Sequence, residues 1–323
     1  MQSSGELFIL ILTYIILFLH GLQGFSKELQ NLGADYLNRG LKKVSSSRIG
    51  GFLFGAATTA VIQSSSAVTS ITVAMVDAGV FTFRNSLPVL LGANIGTTAT
   101  SWLVSYKLTG IGPVVIILGT FIGILPYRIR LIGNSLFYFG FILFSLDLIS
   151  SALRPLQNEP AIQEILLNWN NPYVAALGGM IVTAIVQSSS VVSGMAILLH
   201  SFGFISVQEG IGIILGAIIG TTSTALIAST QFNRAAKLSA IVNFIFHFTG
   251  AVVLIPFIEP IASLANMIET PDDRQLALAH TFITLMISMS FIWFTRQIGD
   301  WVSTWRLMSS EPDSMPPEDP GVS

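Results

Sequence analysis

The sequence predicts an all-α polytopic membrane protein, and three observations carry that prediction. Of the 323 residues 52% are hydrophobic and only 10% charged, against about 25% charged in an ordinary soluble domain. Several apolar runs reach about 20 residues, the length a helix needs to cross the roughly 30 Å hydrocarbon core. Two further apolar segments are each interrupted by the same tetrapeptide, Gln-Ser-Ser-Ser, at 63–66 and 187–190. The expected architecture is two inverted repeats, each with a re-entrant helical hairpin carrying that tetrapeptide, within about seven full transmembrane helices plus two hairpins.

Composition also excludes classes of function. Fifteen Lys and Arg against 17 Asp and Glu give a net charge of -2, without the basic field that a nucleic-acid partner requires. The absence of cysteine removes disulfide frameworks, thiolate metal sites and cysteine nucleophiles. With only four histidines and no catalytic constellation, the chain reads as a non-enzyme that needs no cofactor.

Along the chain, the apolar run at 7–19 opens without a basic n-region, carrying only Glu6, and no small-residue cleavage site follows. It therefore reads as the first membrane helix rather than a secretory signal. A polar stretch at 23–48 with Lys27, Arg39, Lys42, Lys43 and Arg48 comes next. Further spans are expected near 87–104, 110–125, 131–150, 210–229, 238–257 and 277–295, with breaks at Pro126 and around Pro256, Glu259 and Pro260. Residues 306–323, rich in proline and acid, read as a disordered polar tail. The whole of 1–323 is taken as a single membrane transport domain.

Segments 49–81 and 173–204 fit none of these spans. Each arm flanking the tetrapeptide is too short to cross alone, and consecutive polar side chains at membrane depth are tolerated only in protein or beside a wet cavity. Re-entrant hairpins satisfy that condition, and a single long helix with a polar girdle is the competing reading. Counting cations by the positive-inside rule puts the N-terminus outside and the C-terminus in the cytoplasm under either reading, 12 to 3 or 11 to 4. The chain is thus expected in a plasma or bacterial inner membrane.

The two tetrapeptides lie 124 residues apart, and the same offset superimposes a second motif. The octapeptide at 91–98, Leu-Gly-Ala-Asn-Ile-Gly-Thr-Thr, matches that at 215–222 in seven of eight positions, and 59–66 matches 183–190 in six of eight. Two motifs holding one register mark a tandem duplication, with repeat 1 at about 49–125 and repeat 2 at about 173–257. Three spans between the copies, an odd number, turn the second upside down, a common arrangement in secondary transporters.

Glutamine and serine supply an amide and hydroxyls that serve either a small cation or an oxyanion. A helix beginning at the tetrapeptide adds free backbone N–H groups and a positive dipole end. The motifs hold no charged residue, so a bound cation would supply what a multivalent anion lacks, and each ligand would strengthen the other's binding equally. The alternative is structural: membrane Ser and Thr bond back to the preceding turn, and small residues pack helices.

A duplicated QSSS, each followed by a GANIGTT-like motif, resembles the sodium-dependent phosphate cotransporter family, strongly over 50–105 and 175–230. The resemblance implies sodium-coupled symport of inorganic phosphate by alternating access in a lipid bilayer. It implies a phosphate site at Gln63, Ser64, Ser65, Ser66, Gln187, Ser188, Ser189 and Ser190. It implies sodium ligands among Gln63, Ser66, Asn94, Thr97, Thr98, Gln187, Ser190, Thr221 and Thr222. There are departures: Ile218 stands opposite Asn94, and Ser239 and Thr284 replace a family histidine and asparagine. A symporter of another small oxyanion and an anion channel lined by the same tips are the alternatives; the oligomeric state is left open.

Overall fold

The computed structural model describes residues 4–44, 47–106, 110–126, 128–158, 171–268 and 272–308. Among these the regular structure is helical, without strands. Among the described residues six helices or helix pairs are long and apolar enough to cross a membrane: Ile9–Leu32, Phe83–Ser105, Ile129–Leu156, Val207–Gln231, Arg234–Met267 and Arg274–Ile292. Large apolar side chains stay exposed along their outer faces, such as Ile9 and Ile16, Val252 and Val253. A fold in water would hide such a belt, whereas lipid covers it.

The first helix, α1 (Ser4–Val44), continues through the expected polar stretch instead of stopping near residue 19. Gln, Lys, Glu and Leu lose little rotamer freedom in a helix, and the segment contains no proline to end it. The seventh expected span, at 110–125, is α6 (Gly112–Gly123). Its 12 residues reach about 18 Å, short of the membrane thickness. Gly119 lies on Phe137 and Gly140 on Ile116, so α6 runs antiparallel to α7 (Arg128–Leu153) at backbone contact.

Each tetrapeptide joins two short helices. In the first repeat these are α2 (Arg48–Ile62) and α3 (Ser65–Asp77), followed by α4 (Phe83–Gly96) and α5 (Thr98–Ser105). Gly51 meets Pro88 while Gly96 meets Ala56 and Ala60, so α2 and α4 are parallel. The start of α3 shares a cavity with Leu90 and Asn94 near the end of α4, so α3 runs back against both. Helices α2 and α3 therefore form a hairpin with 63–66 at its tip, and the girdled single helix is excluded.

The second repeat repeats this order as α8 (Pro172–Val186), α9 (Ser189–Ser201), α10 (Val207–Gly220) and α11 (Thr222–Ala228). Gly212 meets Pro172 and Gly220 meets Met180 and Ala184, so α8 and α10 are again parallel. Three helices close the chain: α12 (Arg234–Leu254), α13 (Ile258–Met267) and α14 (Asp272–Ile292), before α15 (Thr295–Met308). Residues 306–308, expected in the tail, thus belong to a helix, and 309–323 lie outside the described residues.

Two apolar cores flank the tips. One joins Leu22, Ile142, Ile214 and Leu215 with Ile283; the other joins Phe52, Val73, Leu90 and Leu91 with Phe246. Polar ties lock the closing helices onto the first repeat. Ser86 and Ser239 hydroxyls lie 3.0 Å apart, Ser101 Oγ lies 2.7 Å from His280 Nδ1, and Trp102 Nε1 donates to Thr281 Oγ1 at 2.9 Å. Ser239 and His280 both fall in the stretches where the sequence departs from or echoes the family pattern, and both hold helices together.

Candidate functional site

Both tips are built the same way. Gln63 and Gln187 end α2 and α8 in the left-handed region, at φ 58° and 56°, and among the described residues no other non-glycine adopts positive φ. The conformation costs an L-residue about 1–2 kcal/mol, and finding it at both copies marks it as a designed reversal. The next residue then starts a new helix: Ser64 and Ser188 are extended N-caps of α3 and α9. Each reversal leaves the first-turn N–H groups and the positive end of a 13-residue helix facing the tip.

The GANIGTT-like motifs hold the tips in place. A Cβ at Gly92 would collide with the Phe52 carbonyl and one at Gly216 with the Ala176 carbonyl, so only glycine lets the hairpin arm rest on the following helix. The spans at 83–105 and 207–231 are then broken, at Thr97 and Thr221. Broken helices at membrane depth line cavities in transport proteins.

All eight tetrapeptide residues line one cavity of about 340 Å³, so the two copies build a single site. Ser66 Oγ donates to the Gln187 carbonyl at 3.2 Å and lies 3.4 Å from Thr221 Oγ1, which joins the tips directly. The opposite wall is α1, through Leu19, Leu22, Gln23, Ser26, Lys27 and Gln30. Lys27 corrects the expectation of a neutral site, since an ammonium group from outside the motifs faces the same space. The signal was present: 23, 26, 27 and 30 are polar at helical spacing, but the stretch reads as polar chain beyond the membrane span.

A second cavity of about 10 Å³ lies beside the first, lined by Ser65, Ser66, Thr69, Leu90, Asn94, Thr221, Thr222, Asn243 and His247. That volume suits about one water or bare ion. Asn94 and Asn243 are buried there with Nδ2 and Oδ1 respectively lacking a protein partner, a cost that a small polar ligand would relieve. Asn243 and His247 enter this site from α12, four residues apart on one helical face.

The other expected residues divide. Thr98 and Thr222 hydroxyls donate to Ile95 and Ile219 carbonyls at 2.8 and 2.7 Å, and Thr97 to Ala93 at 3.4 Å. Thr97 and Thr98 line neither cavity and follow the helix-bonding alternative. Asp77 is structural, accepting from the Asn233 backbone N–H at 2.6 Å while Asn233 Nδ2 donates to its carbonyl at 2.8 Å. This ties the end of α3 to the start of α12.

The copies differ in how the tips are fastened. Gln63 Oε1 accepts from Thr100 Oγ1 at 2.6 Å, and its Nε2 donates to the Ala60 carbonyl. The equivalents by the 124-residue offset are Gln187 and Thr224. Gln187 is exposed, and Thr224 Oγ1 is buried without a partner. Ser64 caps Ala67 N at 3.2 Å, whereas Ser188 makes no such cap. The first tip is latched and the second is not.

Paired hairpins, broken helices and a polar cavity between them define a membrane transport protein. The family model described as Na+/Pi-cotransporter matches residues 17–151 and 150–267, and the chain belongs to that family. It is 29% identical over 263 residues to an uncharacterized protein, YqeW, of Bacillus subtilis, covering 81% of this chain and 85% of that protein. It is 26% identical over 265 residues to a putative inorganic phosphate export protein, YjbB, of Salmonella typhimurium. The match covers 81% of this chain but only 48% of YjbB, so the chain spans about half that relative's length. Human sodium-dependent phosphate transport protein 2B is 34% identical over 111 residues, 34% of this chain and 16% of that protein. No solved structure matches the chain.

Proposed function

We propose that the chain carries inorganic phosphate together with sodium across a plasma or bacterial inner membrane by alternating exposure of the cavity between the tips. The observation that carries the reading is the convergence on one 340 Å³ space of both tetrapeptides, two helix N-termini and Lys27. Hydroxyls, backbone N–H groups and an ammonium are all donors to an oxyanion. The small cavity, with hydroxyls from Ser66 and Thr221 and the unpartnered Asn243 Oδ1 on its wall, is the sodium site under this reading. Lys27 offsets one negative charge, and sodium supplies the remainder for a dianion. Each ligand then raises the affinity for the other by one common factor.

The unequal latches support alternating access. In the conformation described, Gln63 is held by Thr100 while Gln187 is free of Thr224. Exchange of these two states moves the opening from one side of the membrane to the other, with the re-entrant hairpins as the moving parts and the N-terminus outside.

The test is uptake of radiolabelled phosphate into proteoliposomes. An inward sodium gradient is expected to drive accumulation above equilibrium, and Gln187→Ala to abolish it. Accumulation without regard to sodium, or full activity in Gln187→Ala, would refute the assignment. Passive equilibration alone would favour a channel. The export named for YjbB favours a second reading in which the same cycle runs outward. Reversing the sodium gradient separates the two, since a reversible symporter then expels phosphate.

A further inference from the structure

Three helices start at one place, far from the tips. Helix α2 begins with the Ser47 cap and Arg48, α4 with the Thr82 cap and Arg84, and α15 with Thr295 and Arg296. All six residues, with Asn85 and Pro88, line one cavity of about 460 Å³. Fifteen residues of helix separate Arg48 from Gln63, about 22 Å at 1.5 Å per residue, so this cavity is distinct from the transport site.

Its chemistry is that of an anion site. Three guanidiniums and three positive helix ends converge, and no carboxylate is among the lining residues. Asp300, just outside, lies 3.1 Å from Arg84 and offsets one charge of the three. Arg48 donates to the Trp293 carbonyl at 3.4 Å, which fixes it beside α14. Partial desolvation, then the charges of Arg296 and Arg84, hold Arg48 below its ordinary value, with Asp300 opposing. The three cations therefore feel one another, and an anion between them would relieve that repulsion.

The surroundings locate the anion. Trp293, whose carbonyl accepts from Arg48, is 68% exposed, as in the aromatic belts at headgroup depth. From the geometry we infer that Arg48, Arg84 and Arg296 form a second site, at the membrane interface, for a phosphate group. A phosphodiester of an anionic lipid and free inorganic phosphate share the paired anionic oxygens on a tetrahedral phosphorus that a planar guanidinium engages with two parallel hydrogen bonds. Basic pockets between membrane helices hold such headgroups.

The experiment uses the full chain in nanodiscs and two probes. In one arm, mixed phosphatidylglycerol and phosphatidylcholine nanodiscs are read by native mass spectrometry for retained lipid. In the other, inorganic phosphate is titrated in phosphatidylcholine nanodiscs carrying Gln187→Ala, which disables the transport cavity. Neutralising Arg48 or Arg296 (Arg→Gln) is expected to weaken binding about fivefold each, and Asp300→Asn to strengthen it. Loss in the first arm identifies the lipid as the source, and loss in the second identifies free phosphate. Wild-type protein that retains both lipids equally in the first arm, together with Gln187→Ala protein that binds no phosphate in the second, would overturn the inference. Binding that survives Arg48→Gln with Arg296→Gln would do the same. Arg→Lys variants keep the fold's charge balance, and their intermediate affinity is expected from loss of the paired donors.

Discussion

At the scale of single residues, Gln63 and Gln187 carry the argument because their side chains and their backbones do different work. Both occupy left-handed positions that glycine adopts without strain. Gln187→Gly is expected to raise stability by about 1 kcal/mol while lowering phosphate transport. Gln63→Gly gains less, because it also loses the Thr100 bond. Thermal unfolding of the purified protein beside an uptake assay measures both. Lys27→Gln is expected to raise KM for phosphate about tenfold, the effect of about 1.5 kcal/mol from one charged hydrogen bond. Lys27→Arg restores most of it. A KM unchanged in Lys27→Gln would remove the ammonium from the site.

The tetrapeptides were legible in the sequence because polarity at membrane depth is scarce and here is duplicated in register. Lys27 was not, since its importance depends on α1 continuing as helix past residue 19 and turning 23, 26, 27 and 30 to one wall. Asn243 belongs to neither duplicated motif. Its unpartnered Oδ1 in a cavity shared with Asn94 is a tertiary fact. Thr98 and Thr222 show the converse: the motif is conspicuous, yet their hydroxyls are spent on the preceding turn.

At the scale of elements, the decisive feature is a short arm pressed on a glycine face. Gly92→Leu or Gly216→Leu would drive a side chain into the carbonyl of Phe52 or Ala176. A loss of several kcal/mol is expected, at or above the upper end of the about 1–3 kcal/mol usual for overpacking, with a large fall in Tm or in folded yield. A normal Tm would show that the arms do not touch as described. The hairpins could be anticipated from arm length, but α6 could not be told from a full span. Its apolar run looks sufficient until Gly110 and the break near Pro126 trim the helix to 12 residues. The Asp77 to Asn233 tie joins α3 to α12. Asn233→Ala is expected to expose the 78–82 turn to protease without altering the tips.

At the scale of the whole molecule, the two copies make equivalent elements but unequal bonds, and that inequality is what a sequence alignment of the repeats conceals. Thr100 and Thr224 are identical residues in register, yet one is bonded and one is not. Under alternating access, Thr100→Val and Thr224→Val should shift the conformational balance in opposite directions, read by cysteine labelling from each side of the membrane. The chain contains no cysteine, so no background needs removal. A Ser66→Cys, Gln187→Cys pair is likewise expected to crosslink under oxidation, read as a mobility shift that reduction reverses.

The central claim is that the tips form one phosphate site whose affinity depends on sodium. Equilibrium binding of radiolabelled phosphate to the purified protein, titrated in sodium chloride against choline chloride, tests it most directly. The account predicts affinity that rises with sodium and a sodium affinity that rises with phosphate by the same factor, both lost in Gln187→Ala. Phosphate affinity indifferent to sodium would contradict it.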